Sequence, residues 1–230
     1  MKVGRGFLLA IVAVMLVGAW TTAASAKDEA KTIKESADVL SRIMQIPEKG
    51  IPPVLLRDAR AIAVIPGVIK GAFIVGGRHG NGVVSVRGED GSWSDPLFIS
   101  LTGGSVGWQI GGTSTDLILV FKSLRGVEGL LKGKFTLGAD AAVAAGPVGR
   151  QASAATDVML KSEILSYSRS RGLFAGVSLD GAALLVDNDA NAAFYGEKML
   201  PADILAGKDT KTDKEAQRLQ ELLDQYSKMK

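Results

Sequence analysis

The sequence has no cysteine among its 230 residues. That absence rules out disulfides, thiolate metal sites, a cysteine nucleophile and a lipid-modified N-terminal cysteine. Histidine is nearly absent too. The one example, His79, sits between Arg78 and Gly80 in a glycine-rich stretch. A single imidazole cannot build a histidine-based zinc site without carboxylates, and no glycine-x-serine-x-glycine elbow offers it a nucleophile. His79 therefore reads as a solvated loop residue, and an envelope hydrolase would rest on it and dispersed carboxylates alone. No metal or cofactor is expected. There is also no excess of charge: 27 Lys and Arg stand against 24 Asp and Glu. Two of those cations, Lys2 and Arg5, fall in an N-terminal segment without acids, so the remainder is within one charge of balance. Nothing there argues for nucleic acid. A composition 47% hydrophobic and 22% charged is that of a folded chain.

No apolar run is long enough to span a bilayer. The longest, Phe7 to Trp20, falls short of the about 20 residues a spanning helix needs. It follows two positive charges and leads to Ala24-Ser25-Ala26. That order is a secretory signal peptide of residues 1–26, with cleavage expected after Ala26. The expectation is a soluble periplasmic or secreted protein whose residues 27–230 form a single domain.

Residues 28–46 carry Ile33, Ala37, Leu40 and Met44 on one helical stripe, widened by Ala30 and Ile43, with Lys31, Lys34, Glu35, Asp38 and Arg42 opposite. Pro52-Pro53 opens a short helical turn over Val54–Leu56. From Ala61 to Phe121 the pattern becomes strand-like. Ala61–Ile65 and Ala72–Val75 are apolar runs bounded by Pro66-Gly67 and Gly76-Gly77. Val84 and Val86 alternate with Ser85 and Arg87; Leu97, Ile99 and Leu101 share a face, as do Val106, Trp108 and Ile110. Leu117–Phe121 is apolar throughout, the mark of a strand buried on both sides. Asn81-Gly82 and Asp90-Gly91 are turn signals. Ser123 is placed to cap a helix carrying Val127, Leu130 and Leu131. The small residues of 138–149 permit close backbone packing. Ser162–Arg169 and Leu173–Leu179 read as strands, and Asp180-Gly181 as a hairpin turn into Ala182–Val186. Pro201 opens a short helix that Gly207 ends. Thr212 and Glu215 form a capping box for a terminal helix, 212–228, striped by Ala216, Leu219, Leu223 and Tyr226. The fold class is α+β: a mainly antiparallel sheet, sandwich or barrel-like, with amphipathic helices at both termini.

Two motifs invite chemistry. The glycines of 103–112 lack the lysine and hydroxyl of a phosphate-binding loop and alternate like a strand. Asp187-Asn188-Asp189-Ala190-Asn191 has the acid spacing of a calcium loop, but Ala192 and Lys198 replace its glycine and glutamate. It reads as a polar turn capping a short helix.

Several segments together resemble the SYLF domain family. The clearest is Tyr167-Ser168-Arg169-Ser170-Arg171-Gly172-Leu173-Phe174-Ala175-Gly176, continued to Gly181. Gly91-Ser92-Trp93-Ser94-Asp95-Pro96, Gly103 to Gln109, Ala145 to Arg150 and Phe194-Tyr195-Gly196 follow the same order over roughly residues 35 to 200. The resemblance implies a lipid-binding, actin-regulator-type domain without catalysis, in which an N-terminal amphipathic helix and basic residues meet the lipid. An exported member would meet anionic phospholipids at a membrane surface. The candidate cations are Lys31, Lys34 and Arg42 on the first helix, Arg57, Arg60 and Lys70 around the first strand, and Lys122, Arg125, Lys132 and Lys134. The alternative is an envelope interaction protein that binds a protein partner, with the terminal helix as a pairing element.

Overall fold

The computed structural model describes residues 28–46, 50–72, 76–105, 113–133, 135–149, 161–170, 173–196, 199–208, 210 and 213–229. The leader and Lys134 lie outside them, as do the Val106–Ile110 alternation, the glycines that follow it and Thr212.

The helix α1 (28–44) leads through α2 (Pro53–Arg57) into β1 (Ala61–Ala72), β2 (Gly76–Val86), β3 (Leu97–Ser105) and β4 (Thr113–Phe121). Then come α3 (Arg125–Leu131), β5 (Phe135–Thr136), β6 (Val143–Ala145), β7 (Ile164–Ser170), β8 (Leu173–Gly176) and β9 (Ala183–Val186). The chain closes with α4 (Asn188–Tyr195), α5 (Pro201–Leu205) and α6 (Lys214–Ser227). One sheet runs β5-β9-β3-β2-β1-β4-β7-β6, with β8 also on β7. All pairings are antiparallel except β6 with β7.

The two ends of that path are neighbours in the chain. Thr136 on β5 and Val143 on β6 are seven residues apart, a reach of at most about 25 Å. Eight strands laid flat would separate them by about 34 Å. The sheet must therefore curl, and it forms a half-barrel around the core. β2 and β1 stand at its centre with β4 next to them, and Leu117–Phe121 of β4 are buried on both faces as their composition dictates.

Both terminal helices turn their apolar stripes inward. Ile33, Ala37, Leu40 and Ile43 of α1 are fully buried, and Ala216, Leu219, Leu223 and Tyr226 of α6 nearly so. Each fully buried isoleucine or leucine among them contributes roughly 1.5–3 kcal/mol. The Ser36 hydroxyl of α1 donates to the Val64 carbonyl of β1 (3.4 Å), and Arg218 of α6 reaches Asp38 of α1 at 2.6 Å.

Five local expectations are corrected. Pro66-Gly67 does not separate two strands; β1 runs through it as an irregularity that shifts register against β2 and β4. Gly67 takes φ +57° there, and its N–H is satisfied by the Asp116 carboxylate at 3.1 Å. Asn81-Gly82 is no turn but the middle of β2, where a Cβ on Gly82 would overlap Val64 O and come within 2.7 Å of Ile65 Cα. Ser123 does not cap α3, whose N-cap is Leu124; its hydroxyl donates to Glu163 Oε2 at 3.0 Å. Asp180-Gly181 does turn, with Gly181 at φ +77°, yet joins no hairpin: β8 pairs with β7, and β9 with β3 and β5. At the last helix, Asp213 is the cap, accepting from the Glu215 and Ala216 amides.

In the first turn of α1, Glu29 is half-buried near Asp187 and Asp28. Desolvation first, then those two charges, raise its carboxyl above the ordinary range. A carboxyl with a raised folded pKa holds its proton more tightly folded than unfolded, so its ionisation costs stability as pH rises. Glu29→Gln should raise the thermal midpoint at pH 7 and leave it unchanged near pH 3, where both side chains are neutral. Equal shifts at both pH values would contradict this assignment.

Candidate functional site

The basic residues that the fold brings together lie at one end of the half-barrel. β1 opens with Ala61 paired to Val86 and to Phe121, and Phe121 pairs with Ile164. One residue further out the ladder continues. The Arg87 amide donates to the Arg60 carbonyl, that of Arg60 to Phe121 and that of Lys122 to Glu163, each at 2.8 Å. Arg87, Arg60, Lys122 and Glu163 thus stand side by side on four neighbouring backbone segments. Three cations fall within about 10 Å, two strand spacings.

The flanks add to the row. Arg125 reaches Glu163 at 3.4 Å, and Arg57, paired with Asp58 at 3.4 Å, ends α2 beside it. Arg57, Arg60 and Arg87 line one cleft of 390 Å³ together with Asp58 and Glu89.

Arg87 is held by its neighbours. Its Nε donates to Gly91 O at 3.2 Å and its Nη1 to Arg57 O. Its guanidinium lies 5.5 Å from the centroid of the Trp93 ring, a cation–π contact. The turn that brings Trp93 back is the one the sequence signals at Asp90-Gly91. Gly91 takes φ +85°, and Asp90 Oδ1 accepts from the Ser92 amide and hydroxyl. Those hydrogen bonds, the hydroxyl's first, hold the Asp90 carboxyl below its usual range. A second cleft, of 630 Å³, continues past Arg87 along α6 and is lined by Asp90, Trp93, Glu221, Asp224 and Lys228.

The other candidate cations lie elsewhere. Lys31, Lys34 and Arg42 are exposed on α1, Lys31 beside Glu35 at 3.8 Å. The apolar stripe of that helix is inside the core and is not available to a bilayer while the domain is folded. The stripe of α6 is likewise occupied within its own chain. Lys70 pairs through its backbone with Arg78 and Thr113 at the far end of β1, and its side chain is outside the described set. Lys132 is exposed at the C-cap of α3. His79 is exposed as expected, but on strand β2 opposite Ile69 and Thr102 rather than in a loop. Asp187 caps α4 by accepting from Ala190 N at 3.0 Å, and the Asn191 amide is given to the backbone. Among the described residues no group of three or more His, Asp or Glu is placed to hold a metal, and no helix is long and apolar enough to cross a membrane.

Sequence reasoning missed Arg87 and its partner Trp93. The signal was there: Arg87 ends an alternating strand and Trp93 follows the Asp90-Gly91 turn, so a tight turn must set them side by side.

Known proteins match this chain. The family described as Ysc84, Las17-binding protein actin regulator, matches residues 102–226. SH3 domain-containing YSC84-like protein 1 of Homo sapiens is 37% identical over 203 residues, which are 88% of this chain and 58% of the relative. Protein YSC84 of Saccharomyces cerevisiae is 40% identical over 161 residues, 69% of this chain and 34% of the relative. LAS seventeen-binding protein 3 of the same species is 37% identical over 161 residues, 35% of its length. The chain thus spans little more than half of the human relative and about a third of the yeast ones. With the family's pattern running from the end of β3 into α6, over more than half of its residues, the chain belongs to the Ysc84, or SYLF, family.

Proposed function

We propose that the domain is a non-catalytic binding module that docks on phospholipid headgroups at an anionic membrane surface. The observation that carries this is the row of Arg87, Arg60 and Lys122 on adjacent strands, flanked by Arg57 and Arg125. Basic residues near an anionic surface contribute about 1 kcal/mol each before screening. The effect fades over a Debye length of about 10 Å at 0.1 M salt, so cations must share one face to act together. The leader of residues 1–26 supports delivery to the periplasm or beyond, where such a surface is the envelope membrane. Recovery of the chain, shortened to begin after Ala26, from the periplasmic or extracellular fraction checks that part.

Co-sedimentation with phosphatidylglycerol-containing and pure phosphatidylcholine vesicles tests the binding. The anionic vesicles should bind better, and salt should erase the difference. Arg60→Ala should weaken binding about five-fold, whereas Lys132→Ala, off the row, should leave it unchanged. Equal binding to both vesicles, or equal losses in both variants, would remove the reading. The family's description as Las17-binding supports a second reading, a protein partner with an acidic face on the same cations. Salt-sensitive capture of such a partner without vesicle binding would favour it.

A further inference from the structure

The two clefts that meet at Arg87 differ in the sign of their charge. On one side Arg57, Arg60 and Arg87 outnumber Asp58 and Glu89. On the other, Asp90, Glu221 and Asp224 outnumber Lys228 beyond the shared arginine. A simple anion is attracted by one half and repelled by the other. Arg87 is held from swinging to even them out, because two of its nitrogens are given to carbonyls and its Cζ lies over the Trp93 ring.

We infer that the composite site is built for a zwitterionic headgroup of the phosphoethanolamine class, its phosphate among the arginines and its ammonium against the acidic edge of α6. The inference rests on the headgroup reading above and names which headgroup the site prefers. Asp224 already pairs with Lys228 at 2.6 Å, and Asp90 is engaged with Ser92. Glu221, exposed on α6, makes no hydrogen bond or ion pair among the described residues and is the carboxylate left to receive the ammonium. A primary ammonium suits it, with three N–H donors for carboxylate oxygens. A quaternary ammonium has none and seeks an open aromatic face. Trp93 does not offer one, being 6% exposed with Arg87 over its ring.

The test compares vesicles with a fixed share of phosphatidylglycerol whose remaining lipid is either phosphatidylcholine or phosphatidylethanolamine. The wild-type chain should bind the ethanolamine vesicles about five-fold more tightly, the size of one partly exposed ion pair. Glu221→Gln should abolish that increment and keep the salt-sensitive binding to phosphatidylglycerol. Soluble glycerophosphoethanolamine should displace the wild-type chain, and glycerophosphocholine should not. An equal response to the two vesicles, or an increment that survives Glu221→Gln, overturns the inference and leaves the headgroup reading standing. Inorganic phosphate that competes as well as glycerophosphoethanolamine also overturns it, since the arginines alone would then account for binding. No binding to any vesicle removes both.

Discussion

Gly146→Ala should cost the domain about 3 kcal/mol or more, a large part of the 5–15 kcal/mol that holds a typical domain together. A Cβ at this position would overlap the Cζ and Cε1 atoms of Tyr167. Tyr167 has no exposed surface, and Phe174 lies flat against its ring, 5.5 Å between centroids and 4° from parallel. The backbone is no freer: Gly146 N donates to Ser166 O at 3.0 Å, and a Cβ on the facing Gly176 would strike the Gly146 carbonyl. Urea unfolding of the variant should show the midpoint falling steeply, and a midpoint equal to that of wild type would refute the packing described. Two companions separate crowding from other causes. Tyr167→Leu in the Gly146→Ala background should recover part of the loss, because the ring is the obstacle. Tyr167→Phe alone should be neutral or gain up to about 1 kcal/mol, since the phenol oxygen is buried without a partner among the described residues. Burial likewise pushes the phenol far above its ordinary pKa, so it stays protonated.

That glycine also marks the boundary of what could be read from the sequence. Elements with a strong period or an unbroken apolar run were legible: α1 and α6 from their stripes, β4 from Leu117–Phe121, and the cap of α4 from Asp187. Turn signals were legible only in part, because a glycine is demanded by two different circumstances. At Asp90-Gly91 the demand is local, a positive φ in a turn. At Asn81-Gly82 it is remote: β2 must pass close to the distorted centre of β1, and only the partner strand reveals that. The same holds for Asp180-Gly181, where the turn is real but the strands on either side belong to opposite ends of a curled sheet.

The candidate site was legible as a list of cations but not as a place. Arg57, Arg60, Lys122 and Arg125 are separated by up to 68 positions in the chain, and what gathers them is the register of β1 against β2 and β4. A slip of one residue would send every side chain of a strand to the opposite face. The register is fixed by the residues just inside the row, Ala61 and Phe121, both fully buried, and the partly buried Val86. The core therefore positions the basic row, and a variant that loosens the core at this end should weaken vesicle binding without touching a cation. Lys31, Lys34 and Arg42, gathered by helical spacing alone, remain on a separate helix whose apolar face is already used.

Replacing Asn191 with leucine should cost about 3 kcal/mol and detach α4 from the sheet, a larger effect than loss of the Asp187 cap, worth about 1 kcal/mol. Asn191 is 3% exposed, and its amide continues the β3–β9 ladder where the strand backbone has ended. Oδ1 accepts from Phe98 N at 3.0 Å, while Nδ2 donates to Phe98 O at 3.1 Å and to Asp187 O at 2.7 Å. Leucine fills similar space but leaves the Phe98 N–H buried without an acceptor. The Tyr195 hydroxyl on Pro96 O at 2.7 Å and the edge-on Phe98–Phe194 contact at 5.3 Å hold the rest of α4 in place. The helix should therefore loosen before the domain unfolds, visible as faster amide exchange over 187–196. Asn191→Asp distinguishes hydrogen bonding from shape. An ionised carboxylate there faces two carbonyl oxygens with no proton to give, so the folded state favours its protonated form and raises its pKa. That variant should regain stability as pH falls through the raised value, whereas Asn191→Leu should track the pH response of wild type. Identical pH profiles for the two variants would show that the amide's donors are not what fastens α4 to β3.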